Sequence, residues 1–445
     1  GQKVRLIRRD RWYSVGPGEV LTVLYLAEGG PNHNIDDADL QELLAPLFDR
    51  FSRAKRILAI PPDFTRFHSR AGRITELLYN RFSTALTDVL PALGTHDPMT
   101  EEQIHRMFGS IPEELIRVHR WREDAVTLGK VAESFIRDVS DGLLSFDYPV
   151  QLNRMLVEGS YDAIFSVGQV VPHEVVGLAN YTKNIFVGTG GKEAIDKSHY
   201  LGAVYGMERM MGRADTPVRR VLNHAAEQYA AELPIVYILT VLENTEEGEI
   251  ILRGVYAGDD NECFYAAAEL AQQVNVYELS RPVDHVVAYL DPEEFHSTWL
   301  GNKAVYRSRM AIGDGGRLTV IAPGVRSFGE DKQIDELIRA YGYRGTERTL
   351  SLVAEGSPLA ENLSAAAHLI HGSSEGRFHI EYAPGHLTKE EIEGVGYTYR
   401  DLGAVVERYN PKGKNTGYYT DSEGEEYYFV ANPALGLWSS SPIRE

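Results

Sequence analysis

Short apolar segments alternate with amphipathic stretches along this chain of 445 residues, and this alternation limits the fold more than any other feature. Segments 56–60, 88–93 and 163–167 are short, rich in Leu, Ile and Val, and bounded by Pro, Gly or polar residues, which favours buried strands. Between them lie stretches with apolar residues at helical spacing. Because strands that alternate with helices usually form parallel sheets, we predict an α/β protein.

Polar residues of the kind found in active sites follow each of the three predicted strands. Asp63 and Arg66 follow the first strand, His96 follows the second and His173 follows the third. The carboxyl ends of parallel strands share one edge of a sheet, which is where open α/β sheets bind ligands. We therefore expect the three motifs to converge there and form one site.

Residues 1–275 also contain weaker sequence signals for further strands and helices. The pair Thr100 and Gln103 forms a capping-box pattern, so we expect a helix to begin there and His96 to lie in a strand-to-helix loop. Periodicity also predicts strands within 1–28, a hairpin made of 235–242 and 250–256, and helices at 36–51, 213–233 and 261–273.

A second α/β alternation begins near residue 283. It predicts strands at 283–290, 318–322, 350–354 and 377–382, and helices at 299–311, 331–341 and 359–370. A chain of this length usually forms two domains. We expect domains at 1–275 and 276–445, both α/β, with an active-site cleft between them to which the helix at 299–311 contributes.

Composition and charge exclude several classes of protein. The formal net charge is −19, which argues against a general nucleic-acid-binding role. The sequence contains no apolar run long enough to span a membrane, and its N-terminal residues lack the apolar core of a secretory signal. Cys263 is the only cysteine, so an intrachain disulfide is impossible, and we expect a cytoplasmic protein without a membrane partner.

An ordered set of motifs resembles the nickel-pincer lactate racemase family. The set consists of DFTR at 63–66, GTHDPMTEE at 94–102, the pair Pro172 and His173, Lys183 ten residues after that histidine, and His199. Each motif is weak alone, whereas the ordered set, which extends over residues 63–199, is specific. The remainder of the chain resembles the family only in its length and α/β layout.

The resemblance implies an isomerase that inverts C2 of a 2-hydroxy acid. Members of this family are two-domain α/β racemases and epimerases that use a nickel-pincer nucleotide, a pyridinium-3,5-bisthiocarboxylic acid mononucleotide that holds Ni(II). By the match, Lys183 would carry this cofactor through a thioamide, and His199 would be the protein ligand to nickel. His96 and His173 would be the two acid/base groups. The implied partners are a small 2-hydroxy acid and the enzymes that build the cofactor.

The resemblance also assigns residues that bind the substrate and the cofactor. Arg66 and a later lysine, Lys303, would bind the substrate carboxylate. Asp63 and Thr65 of the DxTR motif would help to hold the cofactor or to orient its neighbours.

This chemistry is reasonable for a 2-hydroxy acid. Removing a proton from C2 would create negative charge beside an ionised carboxylate, whereas removing hydride avoids that charge. Hydride removal needs an electron-poor acceptor and a base for the hydroxyl proton, a task that suits imidazole. The keto acid can then rotate and receive the hydride on its other face, so two histidines, one for each face, are explained.

The loop before the lysine departs from the family pattern. Lactate racemases have GFSGGxK, whereas this chain has GLANYTK from Gly177 to Lys183, with Asn180 and Tyr181 in place of two glycines. Glycine allows close backbone approach to a ligand, so we expect Gly177 and Asn180 to contact the cofactor but its phosphate to be held differently.

A second departure concerns the substrate pocket. The family's Tyr-Gln-x-x-Lys motif corresponds here to Trp299, Leu300 and Lys303, so Leu300 replaces a glutamine. Arg70 lies four residues after Arg66 and would share a helix face with it if a helix began at 67–70. We therefore expect a substrate other than lactate, with a second carboxylate or a longer sugar-acid chain.

Two other functions remain open at this point. Asp63, His96, His173 and His199 could surround zinc in a hydrolase, since zinc favours tetrahedral sites with nitrogen and oxygen ligands. Alternatively, the chain could bind an anionic metabolite without catalysis through the basic residues Arg66, Arg70, Lys183 and Lys303.

Overall fold

The computed structural model describes residues 24–245 and 248–443. Of the strands predicted within 1–28, only β1 (Leu24–Gly29) falls inside the described residues. Within these ranges, the structure has no helix that combines the length and the apolar character needed to cross a membrane.

Strands and helices alternate through residues 24–275, as the sequence predicted. The helices are α1 (Asp37–Arg50), α2 (Ala71–Phe82), α3 (Glu101–Phe108), α4 (Glu133–Val139), α5 (Arg154–Glu158), α6 (Thr182–Phe186), α7 (Lys192–Tyr205), α8 (Pro217–Tyr229) and α9 (Asn261–Asn275). After β1, the strands are β2 (Ile57–Ile60), β3 (Leu86–Val89), β4 (Ala125–Val131), β5 (Tyr148–Asn153), β6 (Ala163–Gln169), β7 (Pro172–His173), β8 (Gly177–Leu178), β9 (Ile235–Asn244) and β10 (Ile250–Gly258).

The larger sheet of this half has the strand order β1-β10-β9-β6-β2-β3. Strands β3, β2, β6 and β9 run parallel, whereas β10 and β1 are antiparallel to their neighbours. The predicted hairpin at 235–256 is confirmed by the antiparallel pair β9 and β10. The predicted helix at 213–233 is shorter because the side chain of Thr216 caps α8 at its N-terminus.

Both faces of this sheet are covered by helices, because alternate residues of its buried strands point to opposite sides. On β6, Phe165 and Val167 pack into a core shared with α1, α2 and α3, whereas Ile164 packs into the core shared with α6, α8 and α9. A parallel strand buried on both faces explains why 163–167 is apolar at every position except Ser166.

A second sheet organises residues 276–443 and has the order β15-β14-β13-β12-β17-β16. Its strands are β12 (Val283–Tyr289), β13 (Ile312–Ala322), β14 (His379–Pro384), β15 (Thr398–Tyr399), β16 (Gly417–Thr420) and β17 (Glu426–Val430), and β11 (Val276–Glu278) pairs separately with β18 (Leu437–Ser439). The helices are α10 (Thr298–Gly301), α11 (Lys303–Ser308), α12 (Lys332–Tyr341), α13 (Thr346–Ala354), α14 (Leu363–His371), α15 (Lys389–Gly394) and α16 (Leu402–Tyr409). The two sheets and their helices confirm the α/β fold class, while the domain boundary near residue 275 stays a prediction.

Two predictions for this half were wrong in detail. The segment 350–354 is the end of helix α13 and not a strand. The predicted helix at 299–311 is divided into α10 and α11 at Asn302, whose side-chain amide donates a hydrogen bond to the Tyr397 hydroxyl at 2.9 Å. Residues of both short helices line one cavity together with residues of the first half.

Candidate active site

The three polar motifs do meet at one edge of the first sheet. Strands β6, β2 and β3 are neighbours and run parallel, so the loops that follow them leave the sheet at the same edge. These loops line one side of a cavity whose other side is formed by α10, α11 and α14. The cavity therefore lies between the two halves of the chain, where a cleft was predicted.

A carboxylate and an imidazole form a close pair in this cavity. Oδ2 of Asp63 lies 2.6 Å from Nδ1 of His96, and Oδ1 accepts hydrogen bonds from the amide and hydroxyl of Thr65. Burial alone would raise the pKa of Asp63, but His96 and the hydrogen bonds hold it below its usual value. An ionised carboxylate at Nδ1 places the proton on that nitrogen, so Nε2 of His96 keeps its lone pair towards the cavity.

His173 is held differently from His96. Its Nδ1 accepts a hydrogen bond from the main-chain N–H of Val175 at 3.1 Å, and Oε2 of Glu174 lies 3.8 Å from the same nitrogen. Burial lowers the pKa of His173 well below its ordinary value. In the neutral ring that results, the proton lies on Nε2.

Three cationic side chains line the same cavity: Arg66, Lys183 and Lys303. Burial, followed by the charge of Arg66, lowers the pKa of Lys183 to about 8 and also lowers the pKa of Lys303. Within the described residues, neither ammonium group forms a hydrogen bond or an ion pair, and Nζ of Lys303 lies over the ring of Phe295. Buried cations without acidic partners favour an anionic ligand.

His199 presents one ring nitrogen to the cavity. It lies on α7, where Nδ1 is 2.7 Å from the carbonyl oxygen of Ile195. The carbonyl can only accept, so Nδ1 carries the proton and Nε2 keeps a lone pair suited to a metal. Burial lowers the pKa of His199, which favours the neutral, ligating form.

The second half supplies an aromatic wall that contains Trp299 and His368. The Trp299 and His368 rings lie 4.5 Å apart, and the two nitrogens of His368 are hydrogen-bonded to the hydroxyls of Tyr306 and Tyr343. Burial lowers the pKa of His368 to about 3, so this ring is neutral and serves as a rigid support for the indole. Leu300 lies beside Trp299 in the wall and offers no hydrogen bond from its side chain.

The structure does not bring two of the predicted residues into the cavity. Arg70 lies outside it and pairs with Asp37 at 3.4 Å, and its φ of 65° turns the chain immediately before α2 begins at Ala71. The expectation that Arg66 and Arg70 share a helix face was therefore wrong. Gly177 also lies outside the lining, and a Cβ at this position, where φ is 84°, would approach the Arg213 carbonyl to 2.2 Å.

The loop that carries Lys183 has a glycine-like backbone at two positions that are not glycine. Asn180 and Tyr181 have φ values of 65° and 56°, a region that side chains normally avoid. Arg219 of α8 stabilises the loop by donating to the carbonyls of Leu178 and Asn180 and to the Thr182 hydroxyl, at 2.7–3.1 Å. Asn180 lines the cavity, and its contact with a cofactor stays a prediction.

Sequence reasoning missed several cavity residues. Glu174 follows His173 directly and could have been found from that adjacency. His368 and His371 are three residues apart on α14 and so share a helix face, but the sequence does not indicate that α14 packs against α7. The lining residues of the second half also include Tyr306.

Comparisons with known proteins found a matching domain family and similar solved structures. Residues 33–211 match the model of the lactate racemase N-terminal domain. A crystal structure of a protein from Thermotoga maritima is similar at a TM-score of 0.78 and 23% identity, covering 92% of this chain and 99% of that chain. The lactate racemase apoprotein from Thermoanaerobacterium thermosaccharolyticum is similar at a TM-score of 0.68 and 16% identity, covering 94% of each chain.

No curated protein matched the sequence. The two structural similarities concern the fold, and the domain match rests on the part of the chain that contains Asp63, His96, His173, Lys183 and His199. The resemblance inferred from the motifs is confirmed by these findings: residues 33–211 match the lactate racemase N-terminal domain model, and most of the chain has a fold similar to that of a lactate racemase apoprotein.

Proposed function

We propose that this chain is a racemase or epimerase that inverts C2 of a 2-hydroxy acid by reversible hydride transfer. The observation that carries the proposal is the composition of one cavity, which combines partly buried cations that form no ion pair with any described residue with two differently held histidines. The cations supply binding for a carboxylate, and the histidines supply proton transfer at a hydroxyl. A 2-hydroxy acid presents both groups on adjacent carbons.

The substrate carboxylate is assigned to Arg66 and Lys303. Arg66 comes from the loop after β2, and Lys303 begins α11 in the second half, so one anion would contact both halves. An arginine suits a carboxylate because it can donate two parallel hydrogen bonds. Closing the cavity over the anion would also exclude water from the reacting carbon.

His96 is assigned as the base for the hydroxyl of one substrate configuration. Its Nε2 has a free lone pair because Nδ1 is bound to Asp63. When Nε2 takes the hydroxyl proton, the ionised carboxylate stabilises the imidazolium at 2.6 Å. Asp63 is therefore proposed to orient and stabilise His96, and His173 would serve the opposite configuration.

The residues fit the implied nickel-pincer nucleotide in their donor chemistry. The Lys183 amine is partly neutral near pH 8, as a nucleophile that forms a thioamide must be, and Nε2 of His199 is free to ligate nickel. Thr65 and Asn180 line the same cavity and are proposed to contact the cofactor. When bound, the group would supply the electron-poor acceptor for hydride. Enzymes that build this nucleotide are the proposed partners.

The alternatives receive less support. Within residues 24–245 and 248–443, no group of three or more His, Cys, Asp or Glu side chains is arranged to hold a metal ion, as a zinc hydrolase would require. A protein that only binds an anion has no need for a carboxylate–imidazole pair. Arg70, which the binding proposal included, is paired with Asp37 outside the cavity.

The proposal is tested with protein produced together with the cofactor-building enzymes. This protein is incubated with each pure enantiomer of lactate, malate, longer aliphatic hydroxy acids and aldonic acids. The products are then separated by chiral chromatography. We expect inversion at C2, with lactate not the best substrate because Leu300 replaces a hydrogen-bonding glutamine. Lactate as the best substrate would contradict the pocket assignment, and no inversion with any acid would contradict the function.

Variants of the two cavity histidines test their roles, and a histidine outside the cavity is the matched control. His96→Ala and His173→Ala should each lower turnover by about 10²–10⁴-fold or more, the contribution of one acid/base group. His105→Ala should have little effect, because His105, which lies on α3, pairs with Glu113 and does not line the cavity.

A further inference from the structure

The two histidines differ at the ring nitrogen that faces away from the reaction. Nδ1 of His96 has a carboxylate partner, which accepts a hydrogen bond. Nδ1 of His173 has the main-chain N–H of Val175, which can only donate. The observed hydrogen bond therefore fixes the proton of neutral His173 on Nε2.

This resting tautomer cannot perform the proton transfers that the proposed function needs. Nε2 of His173 already carries a proton, so it cannot accept the substrate hydroxyl proton. It could donate its proton only by becoming an imidazolate anion. When the neutral His173 ring acts as a base through Nε2, its proton is on Nδ1. When the cationic ring acts as an acid through Nε2, it also carries a proton on Nδ1. In both states the Nδ1–H group needs a hydrogen-bond acceptor.

Glu174 is placed to be that acceptor. Its Oε2 lies 3.8 Å from Nδ1 of His173, and its side chain is 18% exposed and lines the same cavity. No other side chain donates a hydrogen bond to its carboxylate within the described residues. Burial would raise the pKa of Glu174, but its interactions with the His173 ring and the Arg307 guanidinium hold it well below its usual value, so the group is ionised. A shift of about 1 Å would bring the two atoms to hydrogen-bond distance.

We infer that Glu174 is a positioning residue for His173, as Asp63 is for His96, and that Nδ1 of His173 exchanges the Val175 N–H for the Glu174 carboxylate during turnover. This inference rests on the proposed function. With Nδ1–H bound to Glu174, Nε2 accepts the hydroxyl proton of one substrate configuration, and the electron pair of the broken O–H bond stays on oxygen. The imidazolium formed is neutralised by Glu174 and returns the same proton in the reverse step.

The first test measures each half-reaction separately. Cofactor-loaded enzyme in excess is mixed with each pure enantiomer, and the keto acid formed in a single turnover is quantified after quenching. Glu174→Gln should lose, by at least about 10²-fold, the half-reaction that His173→Ala loses, with little change in substrate affinity. The other half-reaction, which His96→Ala loses, should be nearly unchanged, and Glu174→Asp should recover part of the loss.

Asp63→Asn is the matched control and should show the opposite enantiomer selectivity. Equal effects of Glu174→Gln on both enantiomers would overturn the inference, because a purely structural counter-ion for Arg307 would behave in that way. Wild-type rates in Glu174→Gln would overturn it as well. If cofactor-loaded wild-type protein forms no keto acid with any of the substrates tested, the proposed function is overturned instead.

The second test needs no cofactor. In apoprotein with ¹⁵N-labelled histidine, the His173 signals are assigned by comparison with His173→Ala, and the ratio of its two neutral tautomers is measured. We expect a detectable Nδ1–H population in the wild-type protein and its loss in Glu174→Ala. The same ratio in both proteins would overturn the inference, whatever the catalytic result.

Discussion

At the scale of single residues, the cavity depends on groups whose surroundings shift their chemistry. Lys183 is the clearest case, since burial and then Arg66 lower its pKa to about 8. We predict that in apoprotein the labelling of Lys183 by an acylating reagent rises with a midpoint near pH 8, as measured by mass spectrometry of its peptide. Lys332, whose side chain is 90% exposed, is the internal control. Identical profiles for the two lysines would contradict the assigned environment.

His199 carries the prediction about the metal. As the only proposed protein ligand to nickel, it should be required for nickel binding, so His199→Ala should lose nickel while it keeps its fold. Elemental analysis and circular dichroism of protein produced with the cofactor enzymes measure the two properties. His33→Ala is the control, because His33 is 45% exposed and lies near Glu28, away from the cavity. Full nickel occupancy in His199→Ala would contradict the assignment.

Residue identities were easier to predict than their partners. The motifs indicated His96 and Asp63 separately, but only the fold shows that they form a pair at 2.6 Å. The role expected for Arg70 was wrong because sequence spacing assumed a continuous helix, whereas the backbone turns through positive φ at that residue. A local pattern contains no information about such a turn unless it includes glycine or asparagine.

At the scale of elements, the lysine loop depends on helix α8. Arg219 is 1% exposed, has its guanidinium 4.2 Å from the centre of the Phe264 ring, and donates to carbonyls of the loop. Burial lowers its pKa to about 10. We predict that Arg219→Leu destabilises the protein by about 2–5 kcal/mol, because buried carbonyls lose their donors.

The next residue on the same helix provides the control. Arg220 has a side chain that is 55% exposed and pairs with Asp215, so Arg220→Leu should change the free energy of unfolding by less than about 1 kcal/mol. Denaturant unfolding of the two variants measures the difference. Equal stabilities would show that Arg219 does not hold the loop.

Long periodic elements were predicted well, and short ones were not. Helix α1 follows its predicted range closely because five apolar positions repeat over several turns. The segment 350–354 is too short to distinguish a strand from part of a helix by periodicity, and it is helical because it completes α13. The predicted helix at 299–311 breaks at Asn302, whose buried amide is held by a tyrosine from a distant segment.

At the scale of the whole molecule, a charged cluster joins the two halves of the chain. Glu208 follows α7 and accepts hydrogen bonds from Arg309 and Arg377, each at 2.9 Å. Burial raises the pKa of Glu208, but the two arginines outweigh this and lower it. Its stabilising contribution is therefore present above the unfolded-state pKa and is lost as the pH falls through the lower, folded-state pKa.

We predict that the wild-type protein loses stability on acidification below about pH 4.5, and that Glu208→Gln loses less over the same range, starting from a lower stability at neutral pH. Thermal unfolding across this pH range measures both. Glu355→Gln, at an exposed position on the surface, should follow the wild-type curve. A Glu208→Gln curve parallel to the wild-type curve would contradict this role.

The cleft itself was predictable because the α/β alternation restarts after residue 283. Its lining from the second half was not fully predictable, since His368 and His371 reach the cavity only through the packing of α14 on α7. That packing includes a hydrogen bond of 2.6 Å from Ser364 to Asp196, residues far apart in sequence. Contacts of this kind depend on tertiary structure and leave no local pattern.

The proposed function depends on one step, the inversion of C2 by hydride transfer within the cavity. The most direct measurement uses a single enantiomer of the best substrate, deuterated at C2, with cofactor-loaded protein in ordinary water. We expect the opposite enantiomer to form with deuterium still at C2, because the hydrogen is removed and returned without contact with solvent. Replacement of the deuterium by solvent hydrogen in that product would show that C2 is deprotonated by a base, and would rule out hydride transfer.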